Sequence, residues 1–244
     1  MIEVRELSAS VDLAEAVRLQ KEIWGFQDFE LLPVRLFVVA TKVGGQVLGA
    51  YDGSKMIGFC LSIPGLKPAG VSYLHSHMMG VLAEYRNRGV GRLLKLRQRE
   101  DALTRGIRLI EWTFDPLELK NAFFNIERLG AVVRRYVLNQ YGTTSSHLHG
   151  GLPTDRAVAE WHVASRRVES TIEQRQVPLS RVEARIEVDA GIAEIRQTDP
   201  KRARAIQSVV SEQFLACFNR GLTVIGFEKS PAAGTYLLGE WALD

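Results

Sequence analysis

Cysteine is nearly absent from this chain: Cys60 and Cys217 are the only two in 244 residues, and each lies inside an apolar segment. Two thiols cannot build the dense disulfide framework of a small secreted scaffold, and apolar surroundings predict buried free thiols. No apolar run approaches the ~18 residues that a membrane span requires. The start of the chain, Met1-Ile-Glu-Val-Arg5, has no secretory h-region. A cytoplasmic protein without a membrane partner is therefore expected. An excess of one charge is also missing, since 31 Lys and Arg against 28 Asp and Glu leave a formal net charge of +3. No basic stripe is interleaved with aromatics, so no nucleic-acid partner is expected. What the chain does have is 46% hydrophobic and 24% charged residues, enough for one large or two small globular domains.

The most informative stretch is Val81-Leu-Ala-Glu-Tyr-Arg-Asn-Arg-Gly-Val-Gly91, an apolar strand running into a basic, glycine-punctuated turn that opens a helix. Backbone N–H groups at such a helix start converge on an anion, the helix dipole adds partial positive charge, and glycine permits close approach. The segment therefore suits a pyrophosphate, with Arg86, Arg88 and Arg92 adding charge around it. Two familiar phosphate loops fail here. A dinucleotide fingerprint needs a third glycine where Leu94 stands, and a P-loop needs Gly-Lys-Ser/Thr where Gly91 is followed by Arg92 and Leu93.

Arg86, Gly89 and Gly91 do match the Arg/Gln-x-x-Gly-x-Gly/Ala signature of the GCN5-related N-acetyltransferases (GNAT), and the approach from Val81 to Tyr85 resembles that family's, with Ala83 where proline is common. Hydrophobic periodicity and turn residues predict strands at 2–7, 47–51, 56–63, 72–81, 108–114, 131–138 and 157–163. They predict helices at 12–24, capped by Asp12, and at 31–42, 89–105 and 121–129. This order is similar to the GNAT fold, an α+β architecture with a mixed central sheet flanked by helices. It implies an acyltransferase domain over residues 1–165. Polar residues 166–180 read as a connector. Residues 181–244 read as a small α+β extension, in which an amphipathic helix at 199–220 presents Ala203, Ile206, Val210, Phe214 and Phe218 on one face. That extension is expected to pack on the core or to support a homodimer, with completion of the substrate site as the other reading.

A second similarity lies at Ala122-Phe-Phe-Asn-Ile-Glu-Arg-Leu-Gly-Ala131, where the family usually places a tyrosine four residues after the alanine; here that position is Ile126. Ser76-His77-Met78, Trp112-Thr-Phe-Asp-Pro-Leu117 and Asn121-Ala122 together resemble a subgroup of predicted acetyltransferases with a long C-terminal extension. The resemblance implies acetyl-CoA, or another acyl-CoA such as succinyl-CoA, as co-substrate. It implies CoA contacts from Met79, Val81, Arg86, Asn87, Arg88, Gly89, Val90, Gly91, Arg92, Asn121 and Asn125. The acceptor expected is the amine of a small molecule, with an amino acid preferred. The alternative is a catalytically silent acyl-CoA-binding or regulatory module, because Ile126 replaces the usual acid.

Amine deprotonation needs a base. His77 is the first candidate, because imidazole titrates near neutrality and strand alternation would put it on the face of Met79 and Val81. Glu111, among Leu109, Ile110 and Trp112, is the second, since desolvation would raise its pKa. Tyr141 or Tyr136 is the candidate acid. The plainer readings are a sheet-holding histidine, an ion-paired glutamate and packing tyrosines. His75/His77 and His147/His149 form two His-x-His pairs, yet no cysteine or carboxylate stands at motif distance, so no metal is expected. Arg134-Arg135 can clamp a substrate carboxylate or face solvent, and Arg166-Arg167 carries the same ambiguity.

Overall fold

The computed structural model describes residues 1–142, 151–175 and 181–243. The chain forms two compact units, Met1–Glu111 and Trp112–Asp244.

In the first unit the order is β1 (Ile2–Glu6), α1 (Ser10–Trp24), α2 (Val34–Lys42), β2 (Gln46–Asp52), β3 (Lys55–Leu66), β4 (Ser72–Val81), α3 (Val90–Thr104) and the start of β5 (Leu109–Phe114). Strands β1 to β4 pair antiparallel in sequence order, and β4 then pairs parallel with β5. β2 is buried along almost its whole length, as befits a strand covered on both faces. One face carries α1 and α2, with Leu13, Leu19 and Phe37 packed against Phe59 and Leu61. The other carries α3, with Val90 and Leu94 packed against Leu48, Ile57 and Cys60. Each of these large apolar side chains contributes about 1.5–3 kcal/mol by leaving water. Asp12 does not cap α1. The helix starts at Ser10 after Ala9, and Asp12 in its first turn accepts the Tyr51 hydroxyl at 3.0 Å. Cys60 and Cys217 are free and buried.

One irregularity shapes the site. Leu61 lies opposite Met78 and Ser62 opposite Ser76, so His77 is an extra residue in β4. A β-bulge of this kind breaks the alternation of faces.

In the second unit, α4 (Leu119–Phe123) continues into one π-helical turn (Phe124–Arg128), followed by β6 (Val132–Val137), β7 (Arg156–His162) and α5 (Arg166–Ile172). The remaining elements are β8 (Ala184–Asp189), α6 (Ile192–Thr198), α7 (Pro200–Asn219), β9 (Thr223–Lys229) and β10 (Ala233–Gly239). Neighbouring strands run β7-β6-β9-β10-β8, all antiparallel. The Asp199 side chain caps α7 by accepting from the Arg202 amide at 3.0 Å, with Pro200 in the first turn. Phe214 of α7 stacks on Tyr136 at 5.2 Å and meets Tyr236 edge-on at 5.0 Å. The buried side of α7 also holds Gln207 and Ser211, while Ile206 and Phe218 are half-buried. Buried Arg196 of α6 pairs with Asp115 at 2.6 Å and Glu118 at 2.9 Å. The polar stretch after Ser165 contains helix α5, capped by that serine. Its one buried residue, Val168, explains why no apolar periodicity announces it.

Candidate active site

β4 ends at Val81, whose carbonyl accepts Arg86 Nε at 3.1 Å. The chain then turns through Asn87 and Gly89, at φ 61 and 82. Gly89 stands at the N-cap of α3 with no side-chain cap, so no side chain there competes for the N–H groups of the first helical turn. An added Cβ at Gly89 would meet nothing within 4 Å, so the glycine is required by its positive φ rather than by crowding. Arg86 and Arg88 are exposed and Arg92 is half-buried, with the Arg88 guanidinium 5.4 Å from the Tyr85 ring. Val90 anchors the turn in the α3-side cluster, to which Met79 and Val81 also belong. The turn and the end of β4 are therefore one packed assembly with basic side chains around an open helix start.

The ladder between β4 and β5 consists of Leu74 opposite Ile110 and His75 opposite Glu111. From Ser76 to Val81 the edge of β4 turned away from β3 lies outside that ladder, although β3 stays paired as far as Val81. Such an edge presents main-chain donors and acceptors in a row, which an extended ligand can pair with.

At the place where the ladder ends, the bulge reassigns the side chains. Ser76, Met79 and Val81 face α3, through contacts to Gln98 and to the Val90/Leu94 cluster. Met78 packs with the α1/α2 cluster, and a Cβ on Gly80 would strike Trp24 of α1 at 2.6 Å. His75 stands opposite Ile63 of that same cluster, and the His75 and His77 rings are 6.0 Å apart. His77 is thus on the face opposite Met79 and Val81, contrary to the expectation from simple alternation, because the extra residue inverts the parity. Burial lowers the His75 pKa, with the neighbouring His77 adding to the effect, and crowding by protein atoms lowers that of exposed His77. Both imidazoles are held neutral and able to accept a proton.

Glu111 is 4% exposed and directly opposite His75. Its carboxylate accepts from Lys67 Nζ at 2.5 Å, and that ammonium lies 4.7 Å from the centre of the Tyr73 ring. The expected lone desolvated carboxylate is instead an ion-paired one. His75, weighed in the sequence only as half of a metal pair, stands beside it; its signal was strand register, which residue types do not reveal. Among the described residues no group of three His, Cys, Asp or Glu is placed to share a metal ion. His147 and His149 lie outside the described residues.

Behind the bulge is a polar network that sequence reading missed. Lys95 of α3, 2% exposed, donates to Ser76 Oγ at 2.9 Å. Gln98 Nε2 donates to Ser62 Oγ at 2.5 Å and to Ser76 Oγ at 3.2 Å. Loss of water pushes the Lys95 ammonium down to about 7 and the adjoining Cys60 thiol up to about 12. The available signal was helical spacing, since Lys95 and Gln98 share the buried side of α3 with Leu94 and Ala102.

The other candidates belong to the second unit. Tyr141 is 47% exposed, with its hydroxyl 3.1 Å from Thr113 Oγ1. The Tyr136 hydroxyl is buried against Ser211 at 2.9 Å, and burial raises its pKa. Asn121 is exposed on α4, whereas Asn125 and Ile126 are buried in the π-helical turn. Arg134 and Arg135 both pair with Glu160, so neither stands as an open carboxylate clamp. Arg167 Nε donates to the Gly130 carbonyl at 3.0 Å.

Residues 12–130 match the family model described as the acetyltransferase (GNAT) family. No curated protein matches the sequence. Among solved structures, the ribosomal-protein-S18-alanine N-acetyltransferase of Escherichia coli is 16% identical with a TM-score of 0.53, over 67% of this chain and 94% of that one. Arabidopsis thaliana NAA60 in complex with acetyl-CoA is 16% identical with a TM-score of 0.54, over 66% and 98% respectively. A GNAT-family acetyltransferase of Streptococcus pneumoniae is 16% identical with a TM-score of 0.51, over 66% and 98%. These likenesses establish the fold.

Proposed function

We propose that this chain, whose residues 12–130 match the acetyltransferase (GNAT) family model, transfers an acyl group from acyl-CoA to the amine of a small molecule, an amino acid or related metabolite by preference. The observation that carries this reading is the edge of β4. It leaves its ladder at His75 and Glu111, passes the bulge at His77, and ends in the glycine turn that opens α3. An acyl-CoA lying along it would pair its amides with the backbone of Ser76–Val81 and set its pyrophosphate on the N–H groups beyond Gly89, among Arg86, Arg88 and Arg92. The open, uncapped helix start and the positive φ of Gly89 fit that group.

His77 accepts a proton from the acceptor amine, directly or through a water, and His75 can share the load. The freed nitrogen attacks the thioester carbon. Main-chain N–H groups at the bulge stabilise the charge that develops on the carbonyl oxygen, a task any sequence can perform once the backbone is pre-set. The departing thiolate takes its proton from water. Ile126 cannot serve, and this favours one alternative, a silent acyl-CoA-binding module.

A thiol-release screen of acetyl-CoA and succinyl-CoA against amino acids and polyamines tests the reading. Release with at least one acceptor is expected. CoA binding without release from any pair would leave the silent module.

A further inference from the structure

We propose that Glu111, the face of Tyr73 and the neighbouring His75 form a binding box for a primary ammonium ion, and that Lys67 fills it from within until an external amine displaces it. The assignment of that amine as the acyl acceptor rests on the function proposed above; the box itself rests on geometry alone.

A carboxylate as buried as Glu111 requires a counter-charge, because an uncompensated one costs several kcal/mol. The charge placed on it comes from the turn between β3 and β4, through Lys67 Nζ at 2.5 Å. That turn is closed by its own backbone: Lys67 N donates to the Val71 carbonyl at 3.0 Å and Gly70 N to the Lys67 carbonyl at 2.9 Å. The turn is therefore held by its own backbone, without the Lys67 side chain. The Lys67 side chain keeps 28% of its surface exposed, so water and solutes reach the ammonium. Its other partner is the Tyr73 ring face at 4.7 Å.

A carboxylate together with an aromatic face is the partner set that selects a compact cation with hydrogen-bond donors. The position has a consequence. Glu111 is opposite His75 in the ladder and His75 is beside His77, so a primary ammonium in the box sits on the same face as the two neutral imidazoles. Lys67 presents there the same chemical group that an acceptor would bring. Exchange of one ammonium for the other conserves the charge balance at Glu111.

The test uses full-length Lys67→Ala and Lys67→Met and follows thermal melting in rising n-propylammonium chloride, against sodium and tetramethylammonium chloride at equal ionic strength. Propylammonium is expected to raise the melting temperature of both variants saturably, by several degrees, with a smaller effect on the wild type. The gain should vanish in Lys67→Met/Glu111→Gln. Lys67→Met keeps the aliphatic stem and serves if the alanine variant does not fold. An identical response to propylammonium and sodium would overturn the proposal, as would an equal response to tetramethylammonium or a gain that survives Glu111→Gln. No acyl-CoA enters the measurement. A missing gain therefore refutes the box and leaves the acyltransferase reading intact, whereas a gain without thiol release does the reverse.

Discussion

The two sides of β4 around its bulge use the same residue type in opposite ways. Toward α1 and α2, Lys67 is solvent-reached and balanced by the carboxylate of Glu111, beside two lowered imidazoles. Toward α3, Lys95 is sealed from water and donates to the neutral hydroxyl of Ser76. One ammonium has a carboxylate against it at 2.5 Å. The other loses much of its hold on the proton because desolvation is the larger effect. Chemistry is thus expected on the first side and conformational support on the second.

The largest effect that would break this division is on His77. His77→Gln should lower turnover by roughly 10²–10⁴, the range for general acid–base groups, while melting stays near wild type. The wild-type rate should fall as pH drops through a value below the ordinary imidazole 6.5, because the lowered group must be neutral to act, and the variant should lose that limb. A stable variant with normal rates would move the base elsewhere.

Lys95→Met should act on stability instead. The unfolded lysine titrates near 10.5 and the folded one at about 7, so between these values the unfolded chain binds more protons. Wild-type stability should accordingly rise with pH across that window, by at most about 1.4 kcal/mol per unit, and the variant should lack this slope. Below about 7 the burial cost is present in full. Denaturant melts of both proteins at several pH values measure it, and parallel curves would show Lys95 to be ordinary.

Gly89→Val should weaken CoA binding by about 1–3 kcal/mol through backbone strain at positive φ, with the fold retained. Calorimetry giving wild-type affinity would detach the turn from the cofactor. The smallest effect belongs to exposed Arg88, where replacement by alanine should cost less than about 1 kcal/mol of CoA affinity, fading as salt rises.

Much of the architecture was legible. Strands β2 to β5 and helices α1, α3 and α7 fall close to where periodicity and turn residues put them, because each buries an apolar stripe long enough to leave a pattern. Helices α5 and α6, of seven residues each, left none. In the site, Arg86, Gly89 and Gly91 were legible as a motif, and Glu111 as a carboxylate in an apolar strand. The partnership of Glu111 with Lys67 was not, since 44 positions separate them. Nor was the withdrawal of Arg134 and Arg135 onto Glu160.

By itself, the sequence determined most of the longer helices and strands, where the glycine turn opens a helix, and that this turn suits a pyrophosphate. These follow from local rules of spacing, capping and backbone freedom. Only the tertiary structure decided which way His77 points, that Lys95 is buried, and that Lys67 answers Glu111. Strand register and the side of a bulge depend on what packs across the sheet, and charge depends on the water that packing excludes.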